Sequence, residues 1–125
     1  MLIGYARTST QDQKYSLEAQ VEELKAAGCE RLYQEEVSSV DSQRVELENA
    51  LDYIREGDIL VVKKLDRLAR SVADTVDIQK RLEAKNAGLS ILDMKVDTST
   101  PGGRLQFNLF AAIAQFEREV MLERQ

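Results

Sequence analysis

Short apolar runs alternate along this chain with longer segments whose apolar residues recur every three or four positions. Residues 2–6 form the first short run, followed by a polar stretch, RTSTQDQ, at 7–13. Residues 16–27 set Leu17, Val21 and Leu24 at helical spacing, with Glu18 in the first turn and Gly28 as the stop. Residues 31–35 read as a weaker strand. Residues 42–56 carry Val45, Ala50, Leu51 and Ile54 on one helical face and stop at Gly57. DILVV at 58–62 is the clearest buried strand, β-branched and uncharged after its first residue. Residues 71–86 form a helix with Val72, Val76 and Leu82 inward and Gly88 as the break, and residues 89–94 alternate like a strand. The pattern predicts an α/β fold: a mostly parallel central sheet flanked by helices. No repeat, low-complexity tract or linker interrupts it, so residues 1–125 are expected to form one domain.

The last element differs. Thr100, Pro101 and Gly102 make a helix start, with proline at the first helical position, and no breaker follows from 105 to 125. The apolar residues from Leu105 to Phe116 cover more than one face, too much for a helix lying singly on a sheet. One face of 101–125 is expected to pack on its own domain and another on a partner subunit. STPGGR at 99–104 lacks the GxxxxGK[ST] spacing of a phosphate loop and reads as a flexible lead into that helix. The chain stops at Leu-Glu-Arg-Gln without a C-terminal signal, so the helix is expected to continue in a longer protein.

Composition narrows the possibilities. Hydrophobic residues make up 43% and charged residues 31%, the balance of a globular chain. No apolar run is long enough to span a bilayer and no signal peptide opens the chain, so no membrane role and a cytoplasmic location are expected. Cys29 is the only cysteine, which excludes an internal disulfide and suits a small buried hydrophobe. Histidine is absent, so neither a structural zinc site nor imidazole acid–base catalysis is available. The net charge of −5 argues against a free-standing nucleic-acid binder. Yet Lys63, Lys64, Arg67 and Arg70 cluster in eight residues against Asp66 alone.

In a parallel α/β sheet, ligands sit at the carboxyl ends of strands. Tyr5, Arg7, Ser9 and Gln13 follow the first strand, and KKLDRLAR at 63–70 follows DILVV. Lys64, Arg67 and Arg70 would suit a phosphodiester, because the arginine fork matches phosphate oxygens. A serine hydroxyl set against them would attack phosphorus while the arginines stabilise the charge that develops. Each piece also has a plain reading. Ser9 alone is a turn or cap residue, KKLDRLAR alone is a solvated basic helix start with an Asp66–Arg70 pair, and Tyr15, Tyr33 and Tyr53 are packing or surface residues.

Together the motifs are more specific. Tyr5-Ala-Arg-Thr-Ser-Thr with Gln13, Ser16-Leu-Glu-Ala-Gln, Lys64-Leu-Asp-Arg-Leu-Ala-Arg, and Ala114-Gln-Phe-Glu-Arg with Leu122-Glu-Arg resemble the serine recombinase family. The resemblance is to the catalytic domain of small resolvases and DNA invertases, in order and over the whole chain. It implies that Ser9 is the nucleophile, forming a 5′-phosphoserine link to DNA and freeing a 3′-hydroxyl. It implies that Arg7, Arg67 and Arg70 bind the scissile phosphate, that Asp66 orients them, and that Tyr5 and Gln13 support them. Lys64, Arg44 and Arg118 are then DNA-facing or interface cations. It further implies a homodimer that assembles into a synaptic homotetramer, with a helix-turn-helix DNA-binding domain beyond this chain. No nucleotide cofactor is expected, because the phosphoserine ester conserves the bond energy, and no metal is expected, because the arginines would neutralise the charge. No base for Ser9 stands out. The alternatives are a non-catalytic dimerisation or regulatory module of the same fold, and a phosphoacceptor domain. The phosphoacceptor would need clustered acids after the first strand, where Arg7 and Ser9 stand instead.

Overall fold

The computed structural model describes residues 1–9, 14–37, 44–69 and 71–123. Five strands, β1 (Leu2–Ser9), β2 (Arg31–Val37), β3 (Ile59–Val62), β4 (Gly88–Ile91) and β5 (Val96–Asp97), form one sheet in the order β2-β1-β3-β4-β5. The first four are parallel, and β5 pairs antiparallel with β4 at the edge. The helices are α1 (Lys14–Ala26), α2 (Val45–Tyr53), α3 (Val72–Ala84) and α4 (Pro101–Glu123), with one 3-10 turn at Leu65–Arg67. The mostly parallel sheet flanked by helices is the architecture the hydrophobic pattern predicts.

Two apolar layers sandwich the sheet. On one face α1 covers Ala6 and Val61 with Leu17, Val21 and Leu24. On the other, Leu47, Ala50, Leu51, Ile78 and Leu82 of α2 and α3 bury Ile3, Tyr5, Leu60 and Val62. Cys29 packs in the smaller layer, where burial pushes its thiol up to about 11. Tyr33 and Tyr53 pack ring to ring at 6.3 Å with the Arg31 guanidinium over both, while the side chain of Tyr15 lies outside the described residues.

Several boundaries move, each for a local reason. β1 runs three residues past its expected end, because β2 pairs with it as far as Ser9↔Val37 and Thr8 is buried. Gly28, at φ +101°, does end α1: its N–H reaches the Lys25 carbonyl and that of Cys29 reaches Leu24, closing the helix end. Helix α3 ends two residues earlier than expected, at Ala84. Asn86, at φ 57°, takes the left-handed position, and Gly88 already belongs to β4. Helix α2 stops at Tyr53 rather than Gly57, with Ile54 extended. Its inward face contains Leu47, whereas Val45 is 57% exposed. Of the inward residues expected on α3, Leu82 is buried and Val76 half-buried, and the side chain of Val72 lies outside the described residues.

Pro101 opens α4, and Thr100 caps it by accepting a hydrogen bond from Gly103 N–H at 3.0 Å. The 99–104 segment is therefore partly the helix's own first turn. Phe107 and Gly103 are buried against the domain, while Leu105, Leu109, Ile113, Phe116, Met121 and Leu122 are all more than half exposed. No helix among the described residues is long and apolar enough to cross a membrane.

Candidate active site

The carboxyl end of β1 gathers the candidate residues. Strand geometry puts Tyr5 and Arg7 on one face, two residues apart, and Arg7 lies in register with Glu35 of β2. Ser9 is the last residue of β1, two positions beyond Arg7; its side chain lies outside the described residues. β3 pairs with β1 only as far as Gly4↔Val61, after which the chain leaves the sheet toward the Leu65–Arg67 turn. The Arg7 peptide thus lacks a neighbouring strand on that side. Gln20 of α1 supplies the missing partner: its side-chain oxygen accepts from Arg7 N–H at 3.3 Å and its amide donates to the Arg7 carbonyl at 3.0 Å. Gln20 is buried, so this substitution for a strand holds the backbone that carries Arg7.

Tyr5 is fully buried, and its hydroxyl donates to Glu35 Oε2 at 2.6 Å. The same carboxylate accepts the Leu47 N–H at 3.1 Å and the Glu46 N–H at 3.3 Å at the start of α2. A negative group is favoured at that helix end, where unpaired N–H groups point outward. Burial, then the hydrogen bond to Glu35 and its charge, raise the Tyr5 hydroxyl far above the ordinary phenol, outweighing the opposing pull of Arg7 and Arg44. Tyr5 is consequently a fixed neutral donor and no proton acceptor at physiological pH.

Arg44 precedes α2 and reaches across to α3. Its Nη1 donates to Asp74 Oδ2 at 2.7 Å and to the Leu68 carbonyl at 3.1 Å, and its Nη2 to Asp74 Oδ1 at 3.0 Å. Hydrogen bonding to Asp74 raises the affinity of Arg44 for its proton. Leu68 is fully buried directly after Arg67, so the loop bearing Arg67 is anchored between the sheet and Arg44. Arg67 is half-buried at the end of the 3-10 turn, which packs on β1, and Lys64 is exposed just before it.

Among the expected site residues, Tyr5, Arg7, Arg44 and the Arg67 loop converge at this end of the sheet. Arg118 does not join them: it is exposed on α4, lining a groove with Ala73, Val76 and Asp77 of α3. Lys63 turns to α1, where it pairs with Glu23 at 2.5 Å. Gln13 and Arg70 lie outside the described residues, as do the side chain of Asp66 and hence the expected Asp66–Arg70 pair. Glu35, Gln20 and Asp74 were not anticipated. The signals were present: Gln20 interrupts the apolar face set by Leu17 and Leu24, and Asp74 stands three residues after a capping serine, Ser71, whose hydroxyl accepts its N–H. Glu35 gives no such signal, since its role depends on strand pairing.

The family described as the N-terminal domain of resolvase matches residues 2–125. A probable DNA-invertase, y4cG, of Sinorhizobium fredii is 46% identical over 98% of this chain and 40% of its own length. The transposon Tn917 resolvase of Enterococcus faecalis is 38% identical over 99% of this chain and 66% of its own length. This chain therefore spans less than two thirds of these relatives. Among solved structures, a resolvase family site-specific recombinase from Streptococcus pneumoniae superimposes with a TM-score of 0.77 at 26% identity, covering 98% of this chain and 91% of that one. The N-terminal catalytic domain of TP901-1 integrase does so with a TM-score of 0.75 at 26% identity, covering 96% of this chain and 98% of that one. The chain belongs to the serine recombinase family, as a resolvase N-terminal domain.

Proposed function

We propose that this chain is the catalytic domain of a site-specific DNA recombinase that cuts and rejoins strands through Ser9. The observation that carries the reading is the convergence of Arg7, Arg44 and the Arg67 loop at the strand end that Ser9 closes, around a tyrosine held neutral. Ser9 Oγ attacks phosphorus, the bond from phosphorus to the 3′ oxygen breaks, and a 5′-phosphoserine forms. The serine proton leaves to a base that is not assigned, and the departing 3′ oxygen takes up a proton. The 3′-hydroxyl of a partner strand then reverses the step. Charge on the non-bridging oxygens is met by arginines, which offer paired donors to phosphate. Arg70, Asp66 and Gln13 complete the set on the strength of the family motif, with Lys64 toward the DNA.

Strand exchange requires more than one copy. The exposed row Leu105, Leu109, Ile113 and Phe116 on α4 supports a homodimer through this helix, with pairing of dimers into a synaptic tetramer. With a net charge of −5, affinity for DNA in the cytoplasm is expected to come mainly from a further helix-turn-helix domain of the whole protein.

The test mixes the polypeptide that carries this domain, through its natural C-terminus, with supercoiled plasmid bearing its recombination sites. Cleavage products are trapped in denaturant. A covalent protein–DNA adduct from wild type but not from Ser9→Ala is the expected result. Equal adduct from both would move the nucleophile elsewhere, and none from either despite site binding would favour a non-catalytic module.

A further inference from the structure

We infer that Asp74 is a positioning residue for the phosphate site: it orients Arg44 and, through Arg44, the loop that carries Arg67. The inference rests on the recombinase reading above. Asp74 lies in the first turn of α3, thirty positions from Arg44, and holds it by both guanidinium Nη atoms at 2.7 and 3.0 Å. The two side chains are 18% and 21% exposed, so the pair is largely shielded from solvent.

The donor pattern gives the pair its meaning. Asp74 takes one N–H from each Nη of Arg44, the end-on pair, and the Leu68 carbonyl takes the other N–H of Nη1. Among the described residues, the Nε–H and the second N–H of Nη2 meet no acceptor. These two lie along one edge of the planar group and form a side-on fork, a second geometry suited to two phosphate oxygens. Arg44 is near enough to Tyr5 for its charge to act on that hydroxyl, as Arg7 does. Asp74 therefore leaves Arg44 its charge and its phosphate-binding edge, while removing the rotational freedom of a long side chain. Such freedom would otherwise have to be lost as the phosphate approaches its transition state. Because Leu68 directly follows Arg67, the same clamp ties one phosphate-binding loop to another.

The experiment measures single-turnover strand cleavage at saturating DNA by the polypeptide carrying this domain, with site affinity and thermal midpoint recorded in parallel. The variants are Asp74→Asn, Arg44→Ala and both together. Expected is a slowing of roughly tenfold to a hundredfold for Asp74→Asn, with site affinity within about twofold of wild type. In the Arg44→Ala background, Asp74→Asn is expected to change the rate by less than about threefold, because Asp74 acts through Arg44. Asp74→Glu keeps a negative charge at the α3 start but displaces the carboxylate by one methylene. It is expected to keep the thermal midpoint and still slow cleavage, which covers the case in which Asp74→Asn fails to fold. Wild-type cleavage by both Asp74 variants would overturn the inference. So would an equal slowing by Asp74→Asn with and without Arg44. Absence of a Ser9 adduct from the unsubstituted protein would overturn the recombinase reading itself, and is seen before any Asp74 variant is compared.

Discussion

Tyr5 and Glu35, thirty positions apart in sequence, meet through a 2.6 Å hydrogen bond from the phenol to the carboxylate. The same carboxylate receives the first N–H groups of α2. One acidic side chain thus joins the first strand, the second strand and the second helix beneath the candidate site.

This relationship makes stability fall at alkaline pH. The Tyr5 hydroxyl has its affinity for the proton raised in the folded protein above the ordinary value of 10.0. The unfolded chain therefore loses this proton first as pH rises. The contribution is fully present below about pH 10 and declines above it. Denaturant midpoints measured from pH 8 to 11 should fall at the alkaline end, and Tyr5→Phe should flatten that fall. Glu35→Ala should destabilise at neutral pH by about 2 kcal/mol, because it leaves a buried phenol and a helix start without an acceptor.

Gly103 and Gly102 should respond in opposite directions to alanine. A Cβ on Gly103 would lie 1.7 Å from the Asp97 carbonyl oxygen, which is backbone and cannot swing aside. A Cβ on Gly102 meets nothing within 4 Å. Gly103→Ala should cost about 3 kcal/mol or prevent α4 from docking. Gly102→Ala should stabilise by about 0.5–1 kcal/mol, since alanine gives up less backbone freedom in a helix. Thermal unfolding of the two variants distinguishes them directly.

Lys85 caps α2 from a distance. Its ammonium donates to the carbonyls of Leu51, Asp52 and Ile54 at 2.6, 3.3 and 3.2 Å, the orphan acceptors at the end of that helix. Lys85→Met keeps the apolar stem and removes the donors. It should lower stability by about 1–2 kcal/mol in a urea titration.

The two sides of α4 should separate folding from association. Phe107 is 3% exposed, and Phe107→Ala should cost about 3–4 kcal/mol of folding stability. Leu109 and Phe116 are 57% and 64% exposed. Replacing either with glutamate should leave the thermal midpoint of the monomer within about two degrees, since such surface changes lie within about 0.5 kcal/mol. If α4 forms the dimer, sedimentation velocity should show the dimer lost in these variants alone.

The periodicity of apolar residues by itself determined the class of fold and the unusual last helix. Burial requires an amphipathic period of about 3.6 for a helix on a sheet, and α4 visibly exceeds what one face can hide. Gly28 and Pro101 were legible as boundaries because their backbone preferences are local. The motifs by themselves group Tyr5, Arg7 and Arg67.

Tertiary structure alone decided the rest. The length of β1 depended on β2, since a polar strand end persists only when a neighbour takes its peptide groups. That Val45 faces solvent and Leu47 the core was settled by how α2 docks, not by its spacing. Glu35 acquired Tyr5, Gln20 acquired the Arg7 peptide, and Asp74 acquired Arg44 across separations of 13 to 30 residues. Such partnerships leave no periodic trace, because a hydrogen bond is specified by the direction and distance of two groups in space, and the chain fixes those only once the sheet has paired.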